Sequence, residues 1–441
     1  MSPEVTAAWI AAGVGVLTVA ATAVTQYFSR RATSQDTKQQ LEDQHGQQAQ
    51  AFAEQRDQQA QAFAEQRDQQ AQAFAEQRKQ LDRTLAEQRS RTLNERFATA
   101  AGQLGGDKPP AVRLAGVYAM AVLADDWKEK RQTCVDVLCG YLRMPYEPDP
   151  GEKAPGPERL DFRASREVRH TVIRLIGDHL RSGAAVSWQG LNFDFTGVVF
   201  DGCDFGGARF PGGNVLFTGA VFSGGQNNFT HAEFSGGEVY FDGAVFSGGA
   251  VGFDDAVFSA GEVAFRGAEF SGSTVNFNRA EFCGTAVSFA GAKVSGGRVW
   301  FYRAKVSGSR VNFGDTRFLD GMRFSGGEVY FEEAEFSSGV VRFRGARFDG
   351  ATVSFLRAVF SGGTVSFAGT GFGGAVFSGG WVDFDGARFT GGAVDFRGVE
   401  FSGGTVDFTG PGDWSVPPAF RWTDTPPPGV KLPKKDDQSQ T

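Results

Sequence analysis

The chain has 441 residues, a formal net charge of −7 at pH 7 and a pI near 5.4, a balance that excludes the strongly basic surface of a typical nucleic-acid binder. Gly (60) and Phe (43) are far above ordinary usage, whereas Tyr and Trp number only 7 each. One aromatic used so often marks one kind of position used many times. The four cysteines, Cys134, Cys139, Cys203 and Cys283, form neither a CxxC pair nor a disulfide framework, which fits a reducing compartment.

Val5 to Phe28 (VTAAWIAAGVGVLTVAATAVTQYF) contains no charged residue and is long enough to span a bilayer, although Ala, Thr and Gly keep its hydrophobicity moderate. It lacks the basic n-region of a signal peptide, and Arg30 and Arg31 follow it. The positive-inside rule then predicts a single-pass cell-membrane protein, anchored by residues 5–28, with its C-terminal part in the cytoplasm.

Residues 32–97 are polar, Gln-rich and internally repeated. QQAQAFAEQRD occurs at Gln47–Asp57 and again at Gln58–Asp68, and QQAQAFAEQRK comes next at Gln69–Lys79. The 11-residue period suits a nearly straight helix or a slightly right-handed supercoil. Phe52, Phe63 and Phe74 share a thin face padded by Ala. Two readings remain open: a solvated single helix, or a weak coiled-coil stalk that would make the protein a homo-oligomer.

Residues 98–182 read as a small α-helical domain. Pro109-Pro110 starts a helix whose sequence, VRLAGVYAMAVLADD, resembles the first helix of a HEAT-type hairpin. Met144–Pro157 is a Pro-rich linker. A last helix, with Val168, Val172, Ile173 and Ile176 inside, is placed to cover the first coil of the repeats C-terminal to it.

From Leu191 to Gly410 a Phe-centred unit repeats without pause. Phe195, Phe200, Phe205 and Phe210 are five apart, and the steps then alternate between seven and five through Phe241, Phe246, Phe253, Phe258, Phe265 and Phe270. Val294 and Val306 replace Phe at two stations. Two residues before each centre sits a small or β-branched residue, Ala before short units and Val before long ones, and the longer steps carry SGG or a variant. This pattern resembles the pentapeptide-repeat proteins. The resemblance implies a right-handed quadrilateral β-solenoid with one unit per face and these Phe as its structural core. The departure from that family is the two extra residues in alternate units. A 24-residue coil with alternating short and long sides encloses the rings better than a flat 12-residue coil, though the sequence leaves both open. About nine coils then fit between Phe195 and Phe408 at the ordinary strand spacing. Six residues separate Phe318 from Phe324, and five separate Phe372 from Phe377 where seven are due. Each break is expected to swap which sides are long. Residues 411–441 read as a cap built on Trp414, Phe420 and Trp422, followed by a disordered tail.

No set of residues converges on chemistry. GTGFGG at Gly369–Gly374 matches GxGxxG but opens no helix. The four His are scattered, and the calcium pattern GGxGxD is absent. The expectation is therefore no catalytic, cofactor or metal site. The basic concentration Lys293, Arg298, Arg303, Lys305 and Arg310 is the candidate interaction face. Function then reads as a non-enzymatic, membrane-anchored scaffold that binds an unidentified protein and no nucleic acid. The family resemblance also implies an alternative, a DNA mimic that binds type II topoisomerases. Such mimics are strongly acidic, and acidic residues here only modestly outnumber basic ones.

Overall fold

The computed structural model describes residues 3–147, 149–314, 321–369, 373–422 and 425–434; the side chains of residues 3–12, 14, 35 and 36 lie outside the description. The chain divides into two compact units, Met1–Arg91 and Thr92–Thr441.

The first unit is helical. Helix α1 runs Pro3–Gln103 without a break, so the expected span and the expected stalk are stretches of one helix. Among the described residues no helix is long and apolar enough to cross a membrane. Part of Val5–Phe28 falls on side chains outside the description. The rest is diluted by Thr22 and Thr25, whose hydroxyls donate to the carbonyls of Thr18 and Ala21 in the preceding turn. Phe52, Phe63 and Phe74 are 67–70 % exposed, so the apolar stripe of the 11-residue repeats is uncovered in the single chain.

In the second unit, the end of α1 packs Leu93, Ala100 and Leu104 into a core shared with α2 (Pro110–Asp126), α3 (Arg131–Arg143) and α4 (Gly156–Leu180). Pro110 opens α2 at a position whose N–H has no intrahelical partner in any case. Helix α4 closes the first coil. Its Gly177 lies so near the Asp204 carbonyl that a Cβ would come within 2.5 Å of the oxygen. Buried Arg169 donates to the Leu142 carbonyl at 2.7 Å and to the Val199 carbonyl at 3.2 Å, tying α4, α3 and the first coil together. Asp201 of that coil accepts from Tyr146 at 2.9 Å and from Arg166 and His170 at 2.8 Å each. Burial alone would raise its carboxyl, but the hydrogen bonds from His170, Arg166 and Tyr146 outweigh burial and hold it well below the usual carboxylate range.

The solenoid is a stack of parallel coils with a 24-residue register: Phe234 lies opposite Phe258, and Val251 opposite Val275. This decides between the two coil sizes the sequence leaves open. Each coil contributes to four columns of rings. The first column begins Phe195, Phe217, Phe241; the second Phe200, Phe222, Phe246; the third Phe205, Phe229, Phe253; the fourth Phe210, Phe234, Phe258. Within a column the rings stack almost parallel, as in Phe241–Phe265 at 4.7 Å and 5° and Phe246–Phe270 at 4.8 Å and 3°. First- and third-column rings meet edge to face across the centre, as in Phe241–Phe253 at 5.7 Å and 85°. Both geometries suit the ring quadrupole. The small residues two before each centre, such as Ala244, Val251 and Ala256, are fully buried and leave room for the rings.

The short steps are tight turns, closed for example by Ala244 N–H donating to the Phe241 carbonyl at 3.0 Å. The long steps run as strand through SGG. There each coil's backbone passes directly over the one below: a Cβ on Gly249 (φ 69°) would sit 2.3 Å from the Gly225 carbonyl oxygen, and one on Gly248 would sit 2.4 Å from that of Ser223. Two parallel sheets result, one joining the fourth column to the next coil's first, the other joining the second to the third.

The two breaks do not swap the long sides. Val294 pairs with Phe324, 30 residues on, and Phe348 with Phe377, 29 residues on. SGG still comes after the second column at Phe324, and Val329 lies opposite Val299. The extra six and five residues both enter at the turn between the first and second columns. Phe318 and Phe372 fall outside the described residues. Adding residues at an exterior turn costs only loop entropy, whereas moving an SGG segment would break the backbone ladder above and below it. Val294 and Val306 do occupy second- and fourth-column stations, and the smaller Val306 borders a void of about 10 Å³ lined by Phe282, Phe301 and Phe336.

Past Phe408 the chain adds one more turn. Phe420 stacks on Phe396 at 5.5 Å, Trp414 meets Phe389 edge-on at 5.2 Å, and Val430–Lys431 pairs with Val406–Asp407. The solenoid therefore has about ten turns, and ordered strand extends into the stretch expected to be tail. Residues 435–441 lie outside the description.

Replacing Gly249 by Ala should cost at least about 2 kcal/mol, because it combines positive φ with a backbone clash. Gly243→Asn, at φ 63° with nothing within 4 Å of a Cβ, should cost under about 1 kcal/mol. Phe265→Ala should cost about 3–5 kcal/mol. Denaturant midpoints of the purified chain check all three, and equal losses at the two glycines would refute the stacked-backbone account.

Candidate interaction surface

The two kinds of tight turn differ in one position. Between the first and second columns the third residue of the turn is Gly: Gly219, Gly243, Gly267 and Gly291 have φ between 63° and 68°. Between the third and fourth columns the same left-handed position carries His231, Asp255, Arg279, Arg303, Glu333 and Arg357, with φ between 54° and 58°. A side chain in that conformation costs roughly 1–2 kcal/mol relative to glycine. Among the described residues, six successive coils bear that cost along one edge only.

The side chains form a charged row. Arg279 pairs with Asp255 at 2.6 Å and Arg303 with Glu333 at 2.8 Å, each across adjacent coils. Glu281 and Lys305 form a second, parallel row at 3.2 Å. Together with Glu335 and Arg357 they line an open groove. The hydrogen bond from Arg279 holds the Asp255 carboxyl below its ordinary range. These pairs are solvent-exposed, and exposed pairs contribute little to stability, so the row does not offset its own backbone strain.

The five basic residues singled out from the sequence do not form one face, because a single coil carries them around its perimeter. Lys293 lies in the strand Lys293–Val294 of the sheet that joins the second and third columns. Arg298 lies further along that sheet, paired with Glu328 at 2.7 Å beside the stacked rings of Trp300 and Tyr330. Arg303 and Lys305 line the groove, and Arg310 lies in the other sheet. Sequence reasoning passed over His231, Asp255, Arg279, Glu333 and Arg357. A signal was available: FTHA, FDDA, FNRA, FYRA, FEEA and FLRA in every second short unit, against FTGA, FDGA, FRGA and FAGA in the others.

The helical region has a second concavity, a cleft lined by Arg113, Tyr146, Glu158, Asp161, Phe162 and Ser165, with Tyr146 stacked on Phe162 at 5.8 Å. Burial pushes the Cys139 thiol up to about 12 and the Cys134 thiol up to about 11, so both are packing groups rather than thiolates. Among the described residues no cluster of His, Cys, Asp or Glu could hold a metal ion.

A family of unknown function (DUF7262) matches residues 4–122, all of which precede the solenoid. No curated protein and no solved structure matches the chain.

Arg357 has strained backbone and no ion pair among the described residues. Arg357→Gly should therefore leave the unfolding midpoint unchanged or raise it by up to about 1 kcal/mol equivalent. A thermal melt showing a loss above about 1 kcal/mol would make that side chain part of the fold rather than of a surface.

Proposed function

We propose that this chain is a non-enzymatic, membrane-anchored interaction module whose solenoid is held on the cytoplasmic side and binds a protein along the charged turn edge. The observation that carries this reading is the row from His231 to Arg357: side chains kept at a strained position on one edge while, among the described residues, glycine fills the same position on the other. Strain that brings the fold no packing is characteristic of positions kept for recognition. The absence of any charge between Val5 and Phe28 supports the anchor. Four ring columns in a 24-residue register support a right-handed quadrilateral coil of the pentapeptide-repeat kind. The uncovered Phe52, Phe63 and Phe74 support pairing of the helix with a second copy. Cross-coil pairing neutralises many of the solenoid's acidic groups, which weighs against a DNA mimic.

Crosslinking of the full chain in its native membrane, followed by mass spectrometry, tests the module. A reproducible protein partner, or a second copy through the α1 stripe, is expected. The partner should be lost when Arg279, Arg303 and Arg357 are changed together to Gly. Recovery of the same partner by that variant would remove the charged edge from the proposal. Reporter fusions after Arg31 test the anchor separately: cytoplasmic reporter activity in the membrane fraction is expected, and activity on the far side or in the soluble fraction would sink it.

A further inference from the structure

Cross-coil charge on this solenoid obeys a rule. Where charged side chains face each other on adjacent coils they are usually of opposite sign, as in Asp242–Arg266, Asp255–Arg279 and Arg298–Glu328. Glu238 facing Glu262 and Asp383 facing Asp407 are isolated like-sign pairs, whereas one row carries three like charges in succession. Lys293 lies in register with Arg323, and Arg323 with Arg347, on adjacent parallel strands. Adjacent strands run about 4.8 Å apart, and like charges placed directly opposite are destabilising. All three side chains are exposed, and none forms an ion pair among the described residues. Nothing in the packing requires this arrangement, because the same strand position carries Val199, Val221 and Val245 in earlier coils.

A second observation falls on the same edge. The extra residues of the two longer coils enter at the turn that immediately precedes this row, one set before Arg323 and the other one coil beyond Arg347. One irregularity thus falls at the middle member of the row and the other one coil past its end.

We propose that the Lys293–Arg323–Arg347 row is a docking site for a short acidic peptide segment of a partner protein. This rests on the reading of the solenoid as a protein-interaction module. The sign of the row requires an anionic occupant. Its length limits that occupant: Glu269 faces Lys293 at one end, and Val376 and then Glu400 come after Arg347 at the other. A long polyanion continuing along the stack would meet those carboxylates, and nucleic acid draws its affinity from many phosphate contacts. The row is also one residue wide. Two residues further along the chain lie Ser295, Ser325 and Asp349, which leaves too narrow a basic strip for a bilayer surface. A short run of Asp or Glu fits both dimensions.

The test titrates a fluorescein-labelled hexaglutamate peptide into the purified full chain in detergent at low salt. Saturable binding is expected, weakened at least tenfold in the triple variant K293Q/R323Q/R347Q and unchanged in R209Q/R342Q on the other sheet. Arg323→Glu restores sign alternation along the row, so it should abolish peptide binding while raising the thermal midpoint by a few degrees. A merely structural row would not give those opposite shifts. Wild-type affinity in the triple variant overturns the proposal, as does displacement of the peptide by a single-stranded oligonucleotide or phosphatidylserine vesicles at lower concentration than by unlabelled hexaglutamate. If the chain crosslinks a protein through the charged turn but does not bind hexaglutamate, only this docking site fails. If it does neither, the module reading fails with it.

Discussion

Each coil must lay its backbone and its four rings directly on those of the coil below, and that demand fixes most of what the chain can vary. Where SGG crosses SGG the approach is so close that a Cβ has no space, as Gly248 and Gly249 show. Where ring covers ring the separation is close to the strand spacing itself, 4.7 Å for Phe241 on Phe265. A residue added inside a strand would shift every ring above it off its column. The two departures from the 24-residue register accordingly fall at one exterior turn, and the columns pass through them undisturbed: Phe313 stacks on Phe343 at 4.7 Å.

The same demand separates what the sequence makes legible from what it does not. Phe and Gly are dictated by contacts with equivalent residues one coil away, so their spacing carries the fold in plain view. Charges are not so dictated. A run of basic residues such as Lys293 to Arg310 looks like a patch in one dimension, but it spans most of one coil and is carried around the perimeter. The chemically meaningful neighbours are 24 or 30 residues apart, as Arg298 and Glu328 are. Reading by columns rather than by runs would have exposed both the charged turn and the like-charge row.

The register breaks show a different limit. Spacing alone cannot tell a shifted centre from an inserted loop, because Phe318 and Phe372 look like centres. The deciding fact is energetic. Swapping the long sides would place SGG crossings over tight turns and break the turns' own cross-coil hydrogen bonds, such as that from Gly243 N–H to the Arg266 carbonyl at 2.7 Å. An insertion leaves all existing crossings intact. The C-terminal strand is hidden from the sequence for a related reason. Val430 and Lys431 come after a Pro-rich stretch with no Phe nearby, yet the open edge of the last coil supplies hydrogen-bonding partners that no local pattern announces.

A periodic stack makes its faces nearly equivalent, so recognition can reside only where periodicity is broken without structural need. Three features here qualify in different ways. The charged turn keeps side chains where backbone strain favours glycine. The Lys293 row keeps like charges where alternation would be more stable. The insertions lengthen one turn where the fold asks for nothing. The first lies between the third and fourth columns, and the other two between the first and second. The solenoid therefore carries two edges that differ in charge and in the number of residues they hold. A partner contacting both would be held in a single orientation and at a single height along the stack, which repetition by itself could never specify.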